Sequence, residues 1–161
     1  KWYFSQHNIN YYNDLASNFR REDVLFVLAV AVGVMVLAFG TATYFTARNA
    51  RKKNQRTWDN QSKRLVVNLA IPLAAGGVFC AILLYHNILY LVAPAMLIFY
   101  GLALLNGSKY TLGDIRYLGI IEIILGLVAS VFVGYGLMLW TVGFGMLHIV
   151  YGALVYFKYE R

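Results

Sequence analysis

Two apolar stretches of this chain each place one ionisable side chain between two glycines. The two patterns are Gly119-x-x-Glu122-x-x-x-Gly126 and Gly145-x-x-His148-x-x-x-Gly152. Carboxylates and imidazoles inside a membrane are the groups from which proton relays are made, and they also hydrogen-bond neighbouring helices. The two patterns therefore indicate either proton transfer or a polar clamp, by which we mean a hydrogen-bonded contact that holds two helices together.

Glu122 follows Arg116 by six residues, which places it about 9 Å along a helix. A bare carboxylate in hydrocarbon costs roughly 2.5–3.5 kcal/mol, so Glu122 should be protonated, paired or in contact with water. Tyr151 falls at nearly the same depth on the antiparallel neighbour, His148 lies one turn deeper on the same face, and Asn68 lies near the inner end of its own helix. We predict an intramembrane polar cluster of Glu122, His148, Tyr151 and Asn68, in which Glu122 hydrogen-bonds one of the other three.

The elements that hold these residues are membrane helices. Sixty per cent of the 161 residues are hydrophobic and 13% are charged, whereas soluble domains carry roughly 25% charged residues. Apolar runs of about 20 residues, enough to cross ~30 Å of hydrocarbon, occupy residues 24–47, 65–85, 88–106, 116–134 and 137–157. Because these runs are apolar on all sides, they favour helices over a lipid-facing sheet. We predict an all-α membrane protein whose five transmembrane helices form one domain over residues 1–161.

The first residues of the chain predict a further helix. The sequence begins Lys1-Trp2-Tyr3-Phe4, and Trp and Tyr beside Lys are typical of the interfacial end of a membrane helix. We expect a sixth helix before Lys1. The alternative is an interfacial segment of a complete five-helix protein.

Basic residues concentrate in one predicted loop, residues 48–64. Half of the 14 basic residues of the chain lie there, beside one acid: Arg48, Arg51, Lys52, Lys53, Arg56, Lys63 and Arg64. The positive-inside rule places this loop in the cytoplasm, together with the C-terminus, and residues 5–23, which have no basic excess, outside. The loop could also bind anionic lipid headgroups. Since this placement accounts for the net positive charge, we predict no nucleic-acid partner.

The last four predicted helices form a repeat. A shift of 50 residues aligns several pairs: Gly76 with Gly126, Tyr85 with Tyr135, and Met96-Leu97 with Met146-Leu147. One further residue of slip aligns Tyr100-Gly101 with Tyr151-Gly152. The hairpins 65–110 and 115–159 are therefore predicted to be copies of one unit. Such repeats occur in transporters and also arise by duplication of a packing unit, so the repeat does not distinguish between these functions.

The glycine spacing also occurs without an ionisable residue. It recurs in Gly33-x-x-Val36-x-x-x-Gly40, and in Pro94-x-x-Leu97-x-x-x-Gly101 with proline in the first position. This spacing puts three residues on one helix face, where small residues let helix backbones approach closely. We predict helix-packing positions at Gly33, Gly40, Gly101, Gly119, Gly126, Gly145 and Gly152. The spacing itself therefore indicates helix packing. The last hairpin differs from the other stretches because ionisable residues, Glu122 and His148, occupy the middle position.

The sequence contains no pattern that predicts a metal site, an intrachain disulfide or an enzyme active site. His7, His86 and His148 lie in separate segments without the spacing of metal ligands. Cys80 is the single cysteine, so no intrachain disulfide forms. The motifs of serine hydrolases, phosphate-binding loops, zinc proteases and CxxC redox proteins are absent. We predict no metal, no cofactor and no enzymatic activity.

Three stretches of the chain resemble known membrane proteins. They are Ser62–Leu84, the segment Tyr110-Thr-Leu-Gly-Asp-Ile-Arg-Tyr-Leu-Gly, and Gly145–Arg161. These stretches resemble a family of small uncharacterised bacterial inner-membrane proteins, which implies a bacterial inner-membrane location and an additional N-terminal helix. The glycine-lined hairpins are also similar to the HdeD-like acid-resistance membrane proteins, which implies a pH-linked role. Neither resemblance assigns a functional residue.

Two functional hypotheses follow. The first is a non-enzymatic structural, regulatory or accessory component of a membrane assembly, whose partners are the bilayer and other membrane subunits or copies of itself. The second is a small transporter, channel or proton-linked sensor that uses Glu122 with His148 and Tyr151. A Glu122 that faces a polar cavity favours the second, and a Glu122 sealed against Tyr151 favours the first.

Overall fold

The computed structural model describes Gly33, which is helical, and residues 59–111 and 113–159. In these ranges the chain is helical and contains no strand, which confirms the all-α class there. The helices are α1 (Asn60–Tyr85), α2 (Val92–Gly107), α3 (Ile115–Val131) and α4, which has α-helical ends (Gly136–Thr141 and His148–Tyr159) around a π-helical segment (Val142–Leu147). The predicted loop 5–23 and most of the predicted helix 24–47 and loop 48–64 lie outside the described residues.

Three stretches of this bundle are long and apolar enough to cross a membrane. They are Asn60–Tyr85, Leu89–Tyr110 and Gly136–Lys158, with mean hydropathies of 2.2, 1.9 and 1.6. α3 has 17 residues, at the lower end of the ~17–25 that a membrane crossing needs. The membrane class predicted from composition thus agrees with the lengths of the helices.

The helix ends differ from the predicted ones for local reasons. α1 begins at Asn60 instead of Leu65, because the Asp59 carboxylate accepts a hydrogen bond from the Asn60 N–H at 2.6 Å and caps a polar first turn. α3 ends at Val131 instead of Gly134, whose φ of 109° is incompatible with a right-handed helix. A hydropathy pattern contains no information on the capping of a polar turn or on the early end of an apolar helix, so it could not predict these two helix ends.

Consecutive helices run antiparallel. Gly76 of α1 packs against Phe99 of α2, and Gly107 at the other end of α2 packs against Leu69. α2 and α3 meet in the same antiparallel sense, and the N-terminal end of α4 returns to the start of α2, where Gly136 packs on Pro94. The bundle therefore runs up and down, with short turns at alternate ends.

The charged residues of the described chain lie at one end of this bundle, with a single exception. That end, called here the charged end, holds Asp59, Lys63, Arg64, Lys109, Asp114, Arg116 and Lys158. The exception is Glu122, in the middle of α3. At the charged end, Lys158 of α4 forms an ion pair with Asp114, next to the start of α3, at 2.6 Å between Nζ and Oδ2. This ion pair joins the two helices between which Glu122 lies.

Candidate functional site

The candidate site begins with a close backbone contact between α2 and α3. A Cβ atom on Gly101 would lie 2.5 Å from the carbonyl oxygen of Gly119, and one on Gly126 would lie 2.9 Å from that of Pro94. Only glycine permits this approach, which small residues provide at membrane helix interfaces. Three of the predicted packing glycines therefore lie where two backbones meet, and Glu122 lies between two of them on the same buried face.

Three of the other predicted packing glycines make no such contact. Within the described ranges, no atom lies within 4 Å of a Cβ built on Gly33, Gly145 or Gly152. Gly40 lies outside the described residues. The packing glycine of α4 is Gly143 instead, where a Cβ would lie 2.6 Å from both Leu97 Cδ2 and Glu122 Oε2.

Glu122 is sealed by these neighbours. Its side chain is 0% exposed, as is that of Leu97 on α2. The backbone of α4 at Gly143 covers the carboxyl group from the third side. Glu122 thus lies at the junction of α2, α3 and α4, and the spacing in α3 alone did not reveal the part played by Gly143.

The π-helical segment of α4 brings His148 to this junction. A π-helical turn closes from residue i to i+5 and holds one more residue than an α-helical turn; such turns are frequent at functional sites. Directly after the segment, His148 Nδ1 lies 2.9 Å from the carbonyl oxygen of Gly143, five residues earlier. The same Nδ1 lies 3.5 Å from Glu122 Oε1. Nδ1 therefore faces two acceptors, one from its own helix and one from α3.

Tyr100 of α2 completes the polar cluster. Its hydroxyl lies 2.8 Å from His148 Nε2. The Gly143 carbonyl can only accept a hydrogen bond, so the 2.9 Å contact requires a proton on Nδ1; in the tautomer that carries only this proton, Nε2 accepts from the Tyr100 hydroxyl. The result is a line of groups, Tyr100 to His148 to Glu122, that links α2, α4 and α3.

Aromatic rings fix the orientation of the imidazole. The Phe144 ring stacks on the His148 ring with 5.7 Å between centroids and 8° between planes. The Phe144 ring centroid also lies 4.8 Å from that of Tyr100 and 5.2 Å from that of Trp140. Trp140, Phe144 and His148 recur at every fourth position along α4, so this helix supplies a row of rings on one side of the site.

The structure places the remaining predicted cluster members elsewhere. Asn68 donates from Nδ2 to the carbonyl oxygen of Arg64 in its own helix, at 2.8 Å. Tyr151 lines an apolar groove between α3 and α4. Neither Glu122 oxygen has a hydrogen-bond partner among the described residues, so neither Tyr151 nor Asn68 makes the predicted bond to Glu122. The residue that sequence reasoning missed is Tyr100, although its repeat alignment with Tyr151 was the available signal.

Among the cavities formed by the described residues, three are prominent, and Glu122 lines none of these three. The apolar groove between α3 and α4 has a volume of about 550 Å³. A pocket of about 600 Å³ lies at the turn between α2 and α3, and one of about 300 Å³ lies near the opposite end. In the part of the chain that the structure describes, no three His, Cys, Asp or Glu residues are placed to hold a metal ion. The absence of a metal or cofactor stays a prediction.

The cluster can therefore lock three helices together, and the same groups can exchange protons if they move by less than 1 Å. The 3.5 Å between Nδ1 and Oε1 exceeds an N–H···O hydrogen bond of about 2.7–3.2 Å by a few tenths of an ångström. The resemblances to bacterial inner-membrane and HdeD-like proteins stay predictions. A comparison of the chain with protein-family models, curated proteins and solved structures finds no match.

Proposed function

We propose that this chain is a non-enzymatic integral membrane protein that acts as a structural, regulatory or accessory component of a membrane assembly. In this proposal the Glu122 cluster fixes the packing of α4 on the pair formed by α2 and α3. The observation that carries it is the complete burial of Glu122 beneath the backbone of Gly143. A sealed carboxyl group serves helix pairing, whereas a carrier of ions or solutes needs contact with water along its path.

The shape of the bundle supports the same role. The turns between the described helices are short, which leaves little room for a soluble active site. Most large apolar side chains of α1 and α4 are exposed in this bundle, as lipid-facing or subunit-facing positions are. The partners that fit such surfaces are lipid, other membrane subunits or a second copy of the chain.

We further propose that α3 also crosses the bilayer and that residues 24–47 form a fifth transmembrane helix in a bacterial inner membrane. The gathering of the described Lys and Arg residues at the charged end supports a cytoplasmic position for that end and for the C-terminus. We propose as well that the hairpins are a repeat, which rests on the alignment of the two copies; its one-residue slip falls after Leu147, where the π-helical segment ends.

A second candidate function is a proton-linked sensor or transporter. The observation that favours it is the line from Tyr100 through His148 to Glu122, in which two hydrogen-bond patterns are possible. In one, Nδ1–H donates to Gly143 and Tyr100 donates to Nε2. In the other, Nε2–H donates to the Tyr100 oxygen and a protonated Glu122 donates to Nδ1. The change from the first pattern to the second moves the Tyr100 proton to Nε2 and the Nδ1 proton to an ionised Glu122, so one proton passes from the phenol to the carboxyl group across the imidazole.

One experiment separates the two candidates. Wild-type protein and Glu122→Gln are purified, and their oligomeric state, co-purifying partners and proton flux in liposomes are compared. Glutamine keeps the size of the side chain and cannot ionise. A clamp predicts that the variant loses assembly or partners, because an amide placed at the junction changes the hydrogen-bonding pattern there. Proton flux is then the same in both proteins.

Ser130→Ala is the matched control, because the Ser130 hydroxyl donates to the Gly126 carbonyl of its own helix. It removes a polar group from α3 without touching α2 or α4, so assembly should be unchanged. Loss of proton flux in a Glu122→Gln protein that remains fully assembled would overturn the structural proposal and support the proton-linked one.

A further inference from the structure

Two of the cavities at the charged end adjoin each other and differ in polarity. The pocket at the turn between α2 and α3 is lined by Ser108, Lys109 and Arg116, among others. The groove between α3 and α4 is lined mainly by apolar side chains, such as Ile121 and Leu154. Asp114 and Tyr117 line both, so the polar pocket opens at the end of the apolar groove.

The polar pocket has an excess of positive charge. Lys109 and Arg116 contribute two cations, and neither forms an ion pair with a described acid. The only acid in the lining, Asp114, is paired with Lys158 at 2.6 Å, so it cancels little of this charge. The Arg116 guanidinium lies 5.5 Å from the centre of the Tyr117 ring, which holds its charge at the boundary of the two cavities.

The first turn of α3 adds to the same field. Gly113, Asp114 and Arg116 surround the helix N-terminus and line the pocket. The positive end of a helix dipole favours an anion there. This helix end shares its pocket with Lys109 and Arg116, which have no acidic partner in the described bundle, so three sources of positive charge meet there.

We infer that this pair of cavities binds an anionic phospholipid. The phosphate lies between Lys109 and Arg116, and one acyl chain extends along the groove beside Ile121 and Leu154. Basic pockets between membrane helices recognise such headgroups, and the groove has the volume of a small-molecule site. The class of ligand follows from the basic pocket and the apolar groove together. A free phosphate would use the pocket alone, and a neutral lipid would use the groove alone.

The test uses the purified full chain in detergent, titrated with dioleoyl phosphatidylglycerol or dioleoyl phosphatidylcholine and observed by native mass spectrometry. Lys109→Gln with Arg116→Gln should weaken phosphatidylglycerol binding by about 25-fold, at the ~1 kcal/mol that each cation near a membrane surface contributes. Lys63→Gln with Arg64→Gln is the matched control. It removes two exposed cations from the same end of the bundle and outside both cavities, and should change binding less than twofold.

Three results would overturn the inference. These are equal binding of the two phospholipids, equal weakening by the two double variants, and binding of glycerol phosphate as tight as that of the intact lipid. All the proteins in this lipid test keep Glu122, which lines neither cavity. Failure of the lipid inference is therefore distinguishable from failure of the clamp.

Discussion

The clamp makes a quantitative prediction for Gly143, the point where α4 covers Glu122. In Gly143→Ala, the new methyl group would lie 2.6 Å from Glu122 Oε2 and 2.6 Å from Leu97 Cδ2, whereas ordinary contacts begin at 3.4 Å. Both neighbours are 0% exposed, so their flexible ends have no open space to turn into. Either α4 must move by about 0.8 Å, or both side chains must shift by that distance within a closed interior.

The size of the effect follows from two opposing terms. Overpacking of a closed interior costs about 1–3 kcal/mol. Replacement of glycine by alanine within a helix returns up to about 1 kcal/mol. Gly145→Ala, in the same π-helical segment, receives only the second term, because no described atom lies within 4 Å of its new methyl group. Gly143→Ala should therefore be less stable than Gly145→Ala by about 1–3 kcal/mol.

The assay is equilibrium unfolding of the purified protein in mixed detergent micelles, followed by circular dichroism. Repetition in a Glu122→Ala background completes a double-mutant cycle, because that change removes one of the two obstructing atoms. The cost of Gly143→Ala should then fall, with a coupling free energy of about 0.5–3 kcal/mol. Equal stability of the two alanine variants, or a cost that persists unchanged in the Glu122→Ala background, would refute the geometry of the clamp.

Two further predictions concern the interfaces that hold the site. Gly119→Ala brings a methyl group to 2.7 Å from the Gly101 carbonyl oxygen, so it should lower the stability of the bundle by about 1–3 kcal/mol; Gly77→Ala, with open space around it, should not, and unfolding in micelles compares them. Tyr100→Phe removes the hydroxyl beside His148 and should cost about 0.5–1.5 kcal/mol. It should also change the imidazole ¹⁵N chemical shifts, and unchanged shifts would contradict the assigned hydrogen bond.

The sequence predicted the helices well because their signal is local. Runs of apolar residues report membrane helices directly, and the glycine spacing reported the buried face of α3. In α4, the same spacing does not mark the face that packs on α2 and α3 in the described bundle, which contains Gly143. It assumes a uniform α-helical turn, and the π-helical segment changes the angular position of every later residue relative to the earlier ones.

The site was only partly predictable for a related reason. Glu122 and His148 could be identified from the sequence because an ionisable side chain in hydrocarbon costs free energy unless it has a partner. The choice of that partner depends on three-dimensional packing, which depth along a helix does not supply. Tyr100 and Tyr151 occupy equivalent positions in the proposed repeat, and depth alone ranked Tyr151 first. The structure instead places the Tyr100 hydroxyl on His148, because α2 packs on both α3 and α4.

The π-helical segment of α4 ends directly before His148, whose imidazole faces Glu122. In the proposed repeat, the extra residue of the copy that contains α4 falls after Leu147, just beyond this π turn. The hydrogen bond from His148 to the Gly143 carbonyl spans the same five residues as that turn. α2, the equivalent helix, has no such turn, and its aligned stretch leads to Tyr100 without a histidine. The π turn of α4 therefore accompanies an imidazole that lies 3.5 Å from Glu122 Oε1, and Tyr100 of α2 places its hydroxyl 2.8 Å from the other ring nitrogen.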